Sequence, residues 1–163
     1  MRKTILLFSA FLMLACSSSD DNNSEVVNPE NEINVPTWLT GLYKADNLFS
    51  QFPYPKSHAY SLNFSTNDIV VKGVATSETK SMKAFIDSLK TIDKLVSVEE
   101  TSTANTYKII VSYKNTESLA VDPDRFIYTI DPVEGVAGKI NVEYYYVEKG
   151  SAYDYGTVRY TKQ

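Results

Sequence analysis

Apolar and polar residues alternate along most of the chain beyond residue 57, and this period of two is typical of β-strands with one buried face. In one such stretch Tyr60, Leu62 and Phe64 alternate with small or polar residues. Ser65-Thr66-Asn67-Asp68 then has the composition of a turn, which indicates a hairpin. The pattern predicts eight strands, at 38–45, 58–65, 68–74, 94–101, 105–114, 124–131, 138–148 and 153–162.

One segment follows the helical period instead. Its apolar residues are spaced i, i+3, i+4 and i+7, with lysines and an aspartate between them. This spacing predicts a single amphipathic helix over residues 79–91, with Ser77 or Thr79 as its N-cap. The apolar positions of this helix are Met82, Phe85, Ile86 and Leu89.

Eight strands joined mostly by short connections favour an antiparallel meander. If the sheet closes on itself, both exposed edges disappear, and the product is an eight-stranded barrel with an interior that can hold one small ligand. The helix would be inserted between the third and fourth strands. A β-sandwich is the alternative arrangement of the same strands.

The N-terminal residues have the pattern of an export signal. Arg2 and Lys3 precede the apolar run 5–14, which is too short to cross a bilayer but has the length of a signal-peptide core. The run ends at Cys16, the only cysteine in the chain. A lone cysteine in an exported protein is an intermolecular partner, a reactive thiol or a modified residue.

The run Leu12-Met13-Leu14-Ala15-Cys16 resembles a bacterial lipobox. The resemblance implies that residues 1–15 are a lipoprotein signal peptide and that Cys16 carries acyl chains, palmitate among them, that hold the protein on a membrane. The acidic run 17–21 resembles the export signal of surface lipoproteins in Bacteroidota, although a solvated linker would look the same. We therefore expect an outer-membrane lipid anchor facing the periplasm or the cell surface.

Charge divides the rest of the chain into a tether and a domain. Residues 16–35 contain several acids and no lysine or arginine, which predicts a disordered acidic tether. Residues 36–163 form one domain of ordinary size. This domain holds 14 basic and 15 acidic residues, so it has no net basic character to attract nucleic acid.

Three short stretches of the domain are similar to lipocalin-like lipoproteins of Bacteroidota. They are Trp38-Leu39-Thr40-Gly41-Leu42-Tyr43, Phe64-Ser65-Thr66-Asn67-Asp68 and Val158-Arg159-Tyr160-Thr161-Lys162. The resemblance implies a lipocalin-like barrel in which Arg159 of the last strand packs on Tyr43 of the first strand. The predicted helix departs from the lipocalin pattern, because it lies in the middle of the chain.

The alternating stripes also define a candidate ligand site. If the barrel is hollow, its lining comes from the buried face of the strands, and tyrosines there would supply both apolar rings and polar hydroxyls. The same rings could instead simply fill the core. The candidate lining residues are Leu62, Phe64, Ile109, Val111, Phe126, Tyr128, Val142, Tyr144 and Tyr146.

Two other functions are alternatives to ligand binding. Exposed aromatics such as Tyr145, Tyr153 and Tyr155 would suit a module that docks a protein or a glycan. An enzyme is less favoured, because His58 is the only histidine and the carboxylate pairs Glu99–Glu100 and 122–124 lie where strand ends or loops are predicted. We expect a non-catalytic protein without a cofactor or a metal.

Overall fold

The computed structural model describes residues 31–46, 59–73, 79–114 and 122–163. A short 3₁₀ turn at Thr37–Leu39 precedes nine strands and one helix. In chain order these elements are β1 (Gly41–Ala45), β2 (Ala59–Ser65), β3 (Asp68–Gly73), β4 (Thr79–Ser81), α1 (Met82–Thr91), β5 (Leu95–Ser102), β6 (Tyr107–Tyr113), β7 (Asp124–Pro132), β8 (Lys139–Glu148) and β9 (Ser151–Lys162).

All nine strands belong to one antiparallel sheet that curls into a half-barrel, in the order β4-β3-β2-β1-β9-β8-β7-β6-β5. This confirms the prediction of a mainly β meander with one helix. The alternative β-sandwich needs two sheets and is not the fold of the described residues. The eight-stranded closed barrel is corrected in two respects. The described sheet has a ninth strand, β4, and its two edge strands, β4 and β5, do not pair with each other.

The helix begins at Met82 with Ser81 as its N-cap, later than the predicted N-cap at Ser77 or Thr79. Thr79 instead pairs with β3 as part of β4. The Ser81 hydroxyl accepts a hydrogen bond from the Ala84 backbone N–H at 3.0 Å and donates to the Asp68 carboxylate at 2.7 Å. Asp68 also accepts the Lys83 backbone N–H at 2.9 Å, so two side chains cap the first turn.

Residues 31–35, which the sequence analysis assigns to the tether, pack against the sheet. Ile33 and Val35 are buried, with 3% and 6% of their surfaces exposed. The Val35 backbone N–H donates to the Thr66 carbonyl at 3.0 Å. The side-chain oxygen of Asn31 accepts the Val98 backbone N–H at 2.9 Å, which places this segment along the edge of β5.

Helix α1 contacts β3, β4 and β5, and therefore bridges the two edges of the half-barrel. Three of its four predicted apolar residues, Met82, Ile86 and Leu89, are buried in the core. The fourth, Phe85, is 38% exposed. The helix thus covers the opening in the sheet with the apolar face that its sequence predicts.

The concave face of the sheet holds the core. Tyr43, Tyr107 and Tyr160 are its largest fully buried side chains. The Tyr160 hydroxyl donates to the Ala59 carbonyl at 2.8 Å, so this buried phenol keeps a hydrogen-bond partner. The strand ends near Trp38 and Lys162 will be called the Trp38 end, and the ends near Ala45 and Tyr113 the opposite end.

Candidate functional site

Aromatic rings form a continuous group on the concave face, toward the opposite end. At its centre the Tyr144 ring stacks on Tyr128, with centroids 4.7 Å apart and planes at 27°. On its other side Tyr144 stacks on Tyr155 at 5.2 Å and 16°. We call the whole group the aromatic belt; its members are Phe85, Tyr113, Phe126, Tyr128, Tyr144, Tyr146 and Tyr155.

The belt continues from Tyr128 toward the helix. Phe126 lies 6.3 Å from Tyr128 and 5.7 Å from Phe85, measured between ring centroids. Phe85 also meets Tyr113 edge-on at 5.7 Å. Such tilted and offset arrangements are the ones that aromatic rings prefer. The belt therefore joins α1, β6, β7, β8 and β9 along one surface.

Strand register explains why these rings meet. Phe126 is opposite Tyr146 and Tyr128 is opposite Tyr144 in the β7–β8 pair, so alternate residues of both strands share the concave face. In the β8–β9 pair the register shifts between Glu143 and Tyr145 of β8. Gly156 near that shift has a φ of +74°, a conformation that glycine adopts easily. The shift leaves Tyr155 against Tyr144.

The candidate lining residues divide into two groups by exposure. All of them belong to the concave face, but one group is sealed in the core and the other lies in the belt. Leu62, Phe64, Ile109, Val111 and Val142 are each no more than 2% exposed and contribute no open surface. Phe126, Tyr128, Tyr144 and Tyr146 are partly exposed and are the part of the predicted lining that a ligand could touch.

The belt is polar only through phenol hydroxyls. Burial raises the pKa values of Tyr113, Tyr128 and Tyr144 above the ordinary value for tyrosine, so these phenols stay neutral at physiological pH. The hydroxyls of Tyr113 and Tyr146 lie 3.0 Å apart and share one hydrogen bond. One hydroxyl of that pair keeps its hydrogen for another acceptor.

The structure does not bring Arg159 to Tyr43. Arg159 is exposed and lies opposite Asn141 in the β8–β9 pair. Tyr43 is opposite Lys162 in the β1–β9 pair, and the Lys162 ammonium lies 5.7 Å from the centroid of the Tyr43 ring. Residues 159 and 162 fall on opposite faces of β9, so the register selects Lys162 as the cation over the ring.

In each of the two carboxylate pairs, one side chain is buried and the other is exposed. Glu100 points into the core, whereas Glu99 is exposed and accepts a hydrogen bond from the Ser97 hydroxyl. Asp124 is buried and accepts the Lys149 backbone N–H at 3.0 Å, whereas Asp122 is exposed. His58 and Cys16 lie outside the described residues.

Of the three tyrosines considered for partner docking, Tyr145 lies on a different face of the sheet from the other two. Tyr155 belongs to the aromatic belt. Tyr145 lies on the convex face, where its hydroxyl donates to Glu143 at 3.2 Å. Tyr153 is opposite Tyr146 and 47% exposed, so it faces the concave side.

Three belt residues were missing from the predicted lining. Tyr113 belongs to the same alternating stripe as Ile109 and Val111, so the sequence carried a signal for it. Phe85 was predicted on the apolar face of the helix, but its contact with β6 and β7 depends on how the helix packs. Tyr155 precedes the register shift in β9, and no local pattern marks that shift.

Within the described part of the chain, no group of three or more histidine, cysteine, aspartate or glutamate side chains could hold a metal ion. No helix there is long and apolar enough to cross a membrane. Comparison with known proteins finds no matching family model, no similar curated protein and no similar solved structure.

Proposed function

We propose that the domain binds a small, uncharged and mostly apolar ligand on the aromatic belt, and that it does so as part of a lipid-anchored envelope protein. The observation that supports this proposal is the uninterrupted row of partly exposed rings on the concave face. Fully packed aromatic cores leave no ring surface in contact with solvent. Here Tyr128, Tyr144 and Tyr146 each keep some.

The belt offers the two features that small-molecule sites combine. Its stacked rings provide a broad apolar surface, and a few hydroxyls can orient a guest. The sealed residues beside it on the same strands, such as Ile109 and Val142, give it a close-packed border. Because the phenols stay neutral and the belt itself contains no charged side chain, an uncharged ligand with an acceptor group suits it best.

A fluorescent probe tests the site. The neutral, apolar probe diphenylhexatriene should bind the protein, and Tyr144→Ala should weaken binding about tenfold, because one ring–ligand contact contributes roughly 1.4 kcal/mol. Tyr145→Ala is the matched control on the convex face and should change affinity less than about twofold. Circular dichroism would establish that both variants remain folded.

Two outcomes contradict the proposal. One is the absence of probe binding to folded wild-type protein. The other is an equal loss of affinity in Tyr144→Ala and Tyr145→Ala, which would mean that the probe adheres to the sheet without using the belt.

Membrane attachment through Cys16 is the second part of the proposal, and its support is the lipobox-like run that ends at this cysteine. Cys16→Ala should move the protein from the membrane fraction to the soluble fraction and abolish labelling by a radioactive fatty acid. A Cys16→Ala protein that still incorporates the label would disprove this attachment site.

Kinship with lipocalin-like lipoproteins is also part of the proposal. What supports it is the pairing of the first strand with the last, together with the meander order of the others. The docking-module alternative has less support, because Tyr145 and Tyr153 lie on opposite faces of the sheet and isolated exposed rings are ordinary on protein surfaces.

A further inference from the structure

A second concave surface lies at the Trp38 end of the half-barrel, away from the aromatic belt. It is a cleft of about 580 Å³ between the 3₁₀ turn, the β7–β8 connection and the end of β9. This volume is within the range of small-molecule sites. Trp38, Tyr43 and Ile140 are among the residues that line it; Trp38 is partly exposed, whereas Tyr43 and Ile140 are only 2% and 3% exposed.

The side chains that line the cleft are apolar apart from two lysines and the Tyr43 hydroxyl. None of the residues that line it is an aspartate or a glutamate. The Trp38 indole N–H already donates to the Thr103 carbonyl at 3.3 Å, so Trp38 presents a ring surface and no free donor. An aryl or alkyl group is therefore the chemistry that most of the wall would accept.

One cation of the cleft is available to a ligand. Lys139 is paired with Asp46 at 2.8 Å. Lys162 is exposed and lies over the Tyr43 ring, and among the described residues it has no carboxylate within salt-bridge distance. Its side chain also passes close to Gly41, where an added Cβ would stand 2.6 Å from the Lys162 Cε, so the position of the stem is restricted.

From these observations we propose that the cleft binds a small amphipathic carboxylate. The apolar body of the ligand packs between Trp38 and the β7–β8 connection, and its carboxylate pairs with the Lys162 ammonium. A charge-assisted contact of this kind is stronger than a neutral hydrogen bond. This site does not depend on the aromatic belt. It selects a negatively charged ligand, whereas the belt suits an uncharged one.

Trp38 provides a local reporter, since it is the only tryptophan in the chain. The full chain carrying Cys16→Ser would be titrated with 4-phenylbutyrate and with its neutral amide, while Trp38 emission is excited at a wavelength that tyrosine does not absorb. The acid should change the emission at about tenfold lower concentration than the amide, because of the ion pair with Lys162.

Three variants distinguish the proposed ion pair from general charge effects, and a fourth distinguishes the cleft from the belt. Lys162→Met should remove the preference for the acid, and Lys162→Arg should keep it. Arg159→Met is the matched control, because it removes one positive charge from the exposed face of the same strand and should keep the preference. Tyr144→Leu, in the belt, should leave the Trp38 titration unchanged, which distinguishes this site from the belt.

The proposal would be overturned if 4-phenylbutyrate left Trp38 emission unchanged at saturating concentrations. It would also be overturned if Lys162→Met still preferred the acid, or if Arg159→Met lost the preference to the same extent as Lys162→Met. In that last case the effect would come from net charge, and the cleft would have no defined cation.

Discussion

The hydroxyl of Tyr107 donates a hydrogen bond to the buried carboxylate of Glu100 on the neighbouring strand. The same carboxylate accepts the Asn34 backbone N–H with both of its oxygens, at 2.9 and 3.0 Å. A single side chain therefore joins β5, β6 and the segment that precedes β1. Because Glu100 is only 7% exposed, its carboxylate depends on these two donors for hydrogen bonds.

Replacing Glu100 should destabilise the protein strongly. Glu100→Ala leaves the Tyr107 hydroxyl and the Asn34 N–H without an acceptor in the core, and we expect the free energy of unfolding in urea to fall by about 3 kcal/mol. Glu99→Ala, at the exposed neighbouring position, should change it by less than about 0.5 kcal/mol. Similar losses in the two variants would show that the carboxylate does not hold this junction together.

Stability should fall at alkaline pH because of the buried tyrosines. Burial raises the pKa values of Tyr107, Tyr128 and Tyr160 in the folded state, so above about pH 10 the unfolded chain loses protons that the folded chain keeps. The contribution of these tyrosines to stability is therefore complete below pH 10. Above pH 10 the free energy of unfolding decreases by about 1.4 kcal/mol per pH unit for each such tyrosine. Urea unfolding followed by circular dichroism at a series of pH values would measure this decrease.

A variant checks the alkaline transition. Tyr107→Phe removes one of the buried phenols, so the decline of stability with pH should become less steep even though the variant is less stable at neutral pH. An unchanged slope would contradict the prediction.

The first turn of α1 should depend on its two capping side chains. Ser81→Ala removes the acceptor for the Ala84 N–H and should lower the free energy of unfolding by about 1 kcal/mol. Ser88→Ala is the matched control, because the exposed Ser88 hydroxyl only bonds the Phe85 carbonyl within the helix. Alanine suits a helix interior, so Ser88→Ala should be neutral or slightly stabilising. A reversed order of these effects would exclude the capping role of Ser81.

The start of the folded domain can be tested by shortening the chain. A chain that begins at residue 31 keeps the contacts of Ile33 and Val35 and should unfold like the full-length protein. A chain that begins at residue 36 loses the burial of both side chains and should be less stable by about 4 kcal/mol. Equal stability of the two shortened chains would mean that residues 31–35 contribute little to the core.

The alternating pattern located the eight longer strands well, because each has one buried face and a period of two leaves a clear trace in the sequence. The stripe through Tyr144, Tyr145 and Tyr146 shows this directly, since its members point to alternating faces as predicted. The short strand β4 has no such trace. Thr79 and Lys80 in it are exposed, and they pair with β3 through backbone groups that any sequence possesses.

Other features depend on register, which the sequence specifies only through distant contacts. The choice of Lys162 over Arg159 as the partner of Tyr43 follows from the alignment of β1 with β9, and only a shift by three residues would place Arg159 opposite Tyr43. Ile33 and Val35 did alternate with polar neighbours, but two apolar residues within an acidic stretch were too weak a signal to outweigh its composition.

The pairing of β1 with both β2 and β9 has a consequence for the order of events in folding. Every other pair in the sheet joins strands that are consecutive in the chain, so β1–β4 and β5–β9 can each assemble from local hairpins. Only the contact between residues 43–45 and 160–162 unites them through the sheet. During synthesis from the N-terminus this contact must wait for the last strand, so until then β1 has an unpaired edge that other chains could occupy.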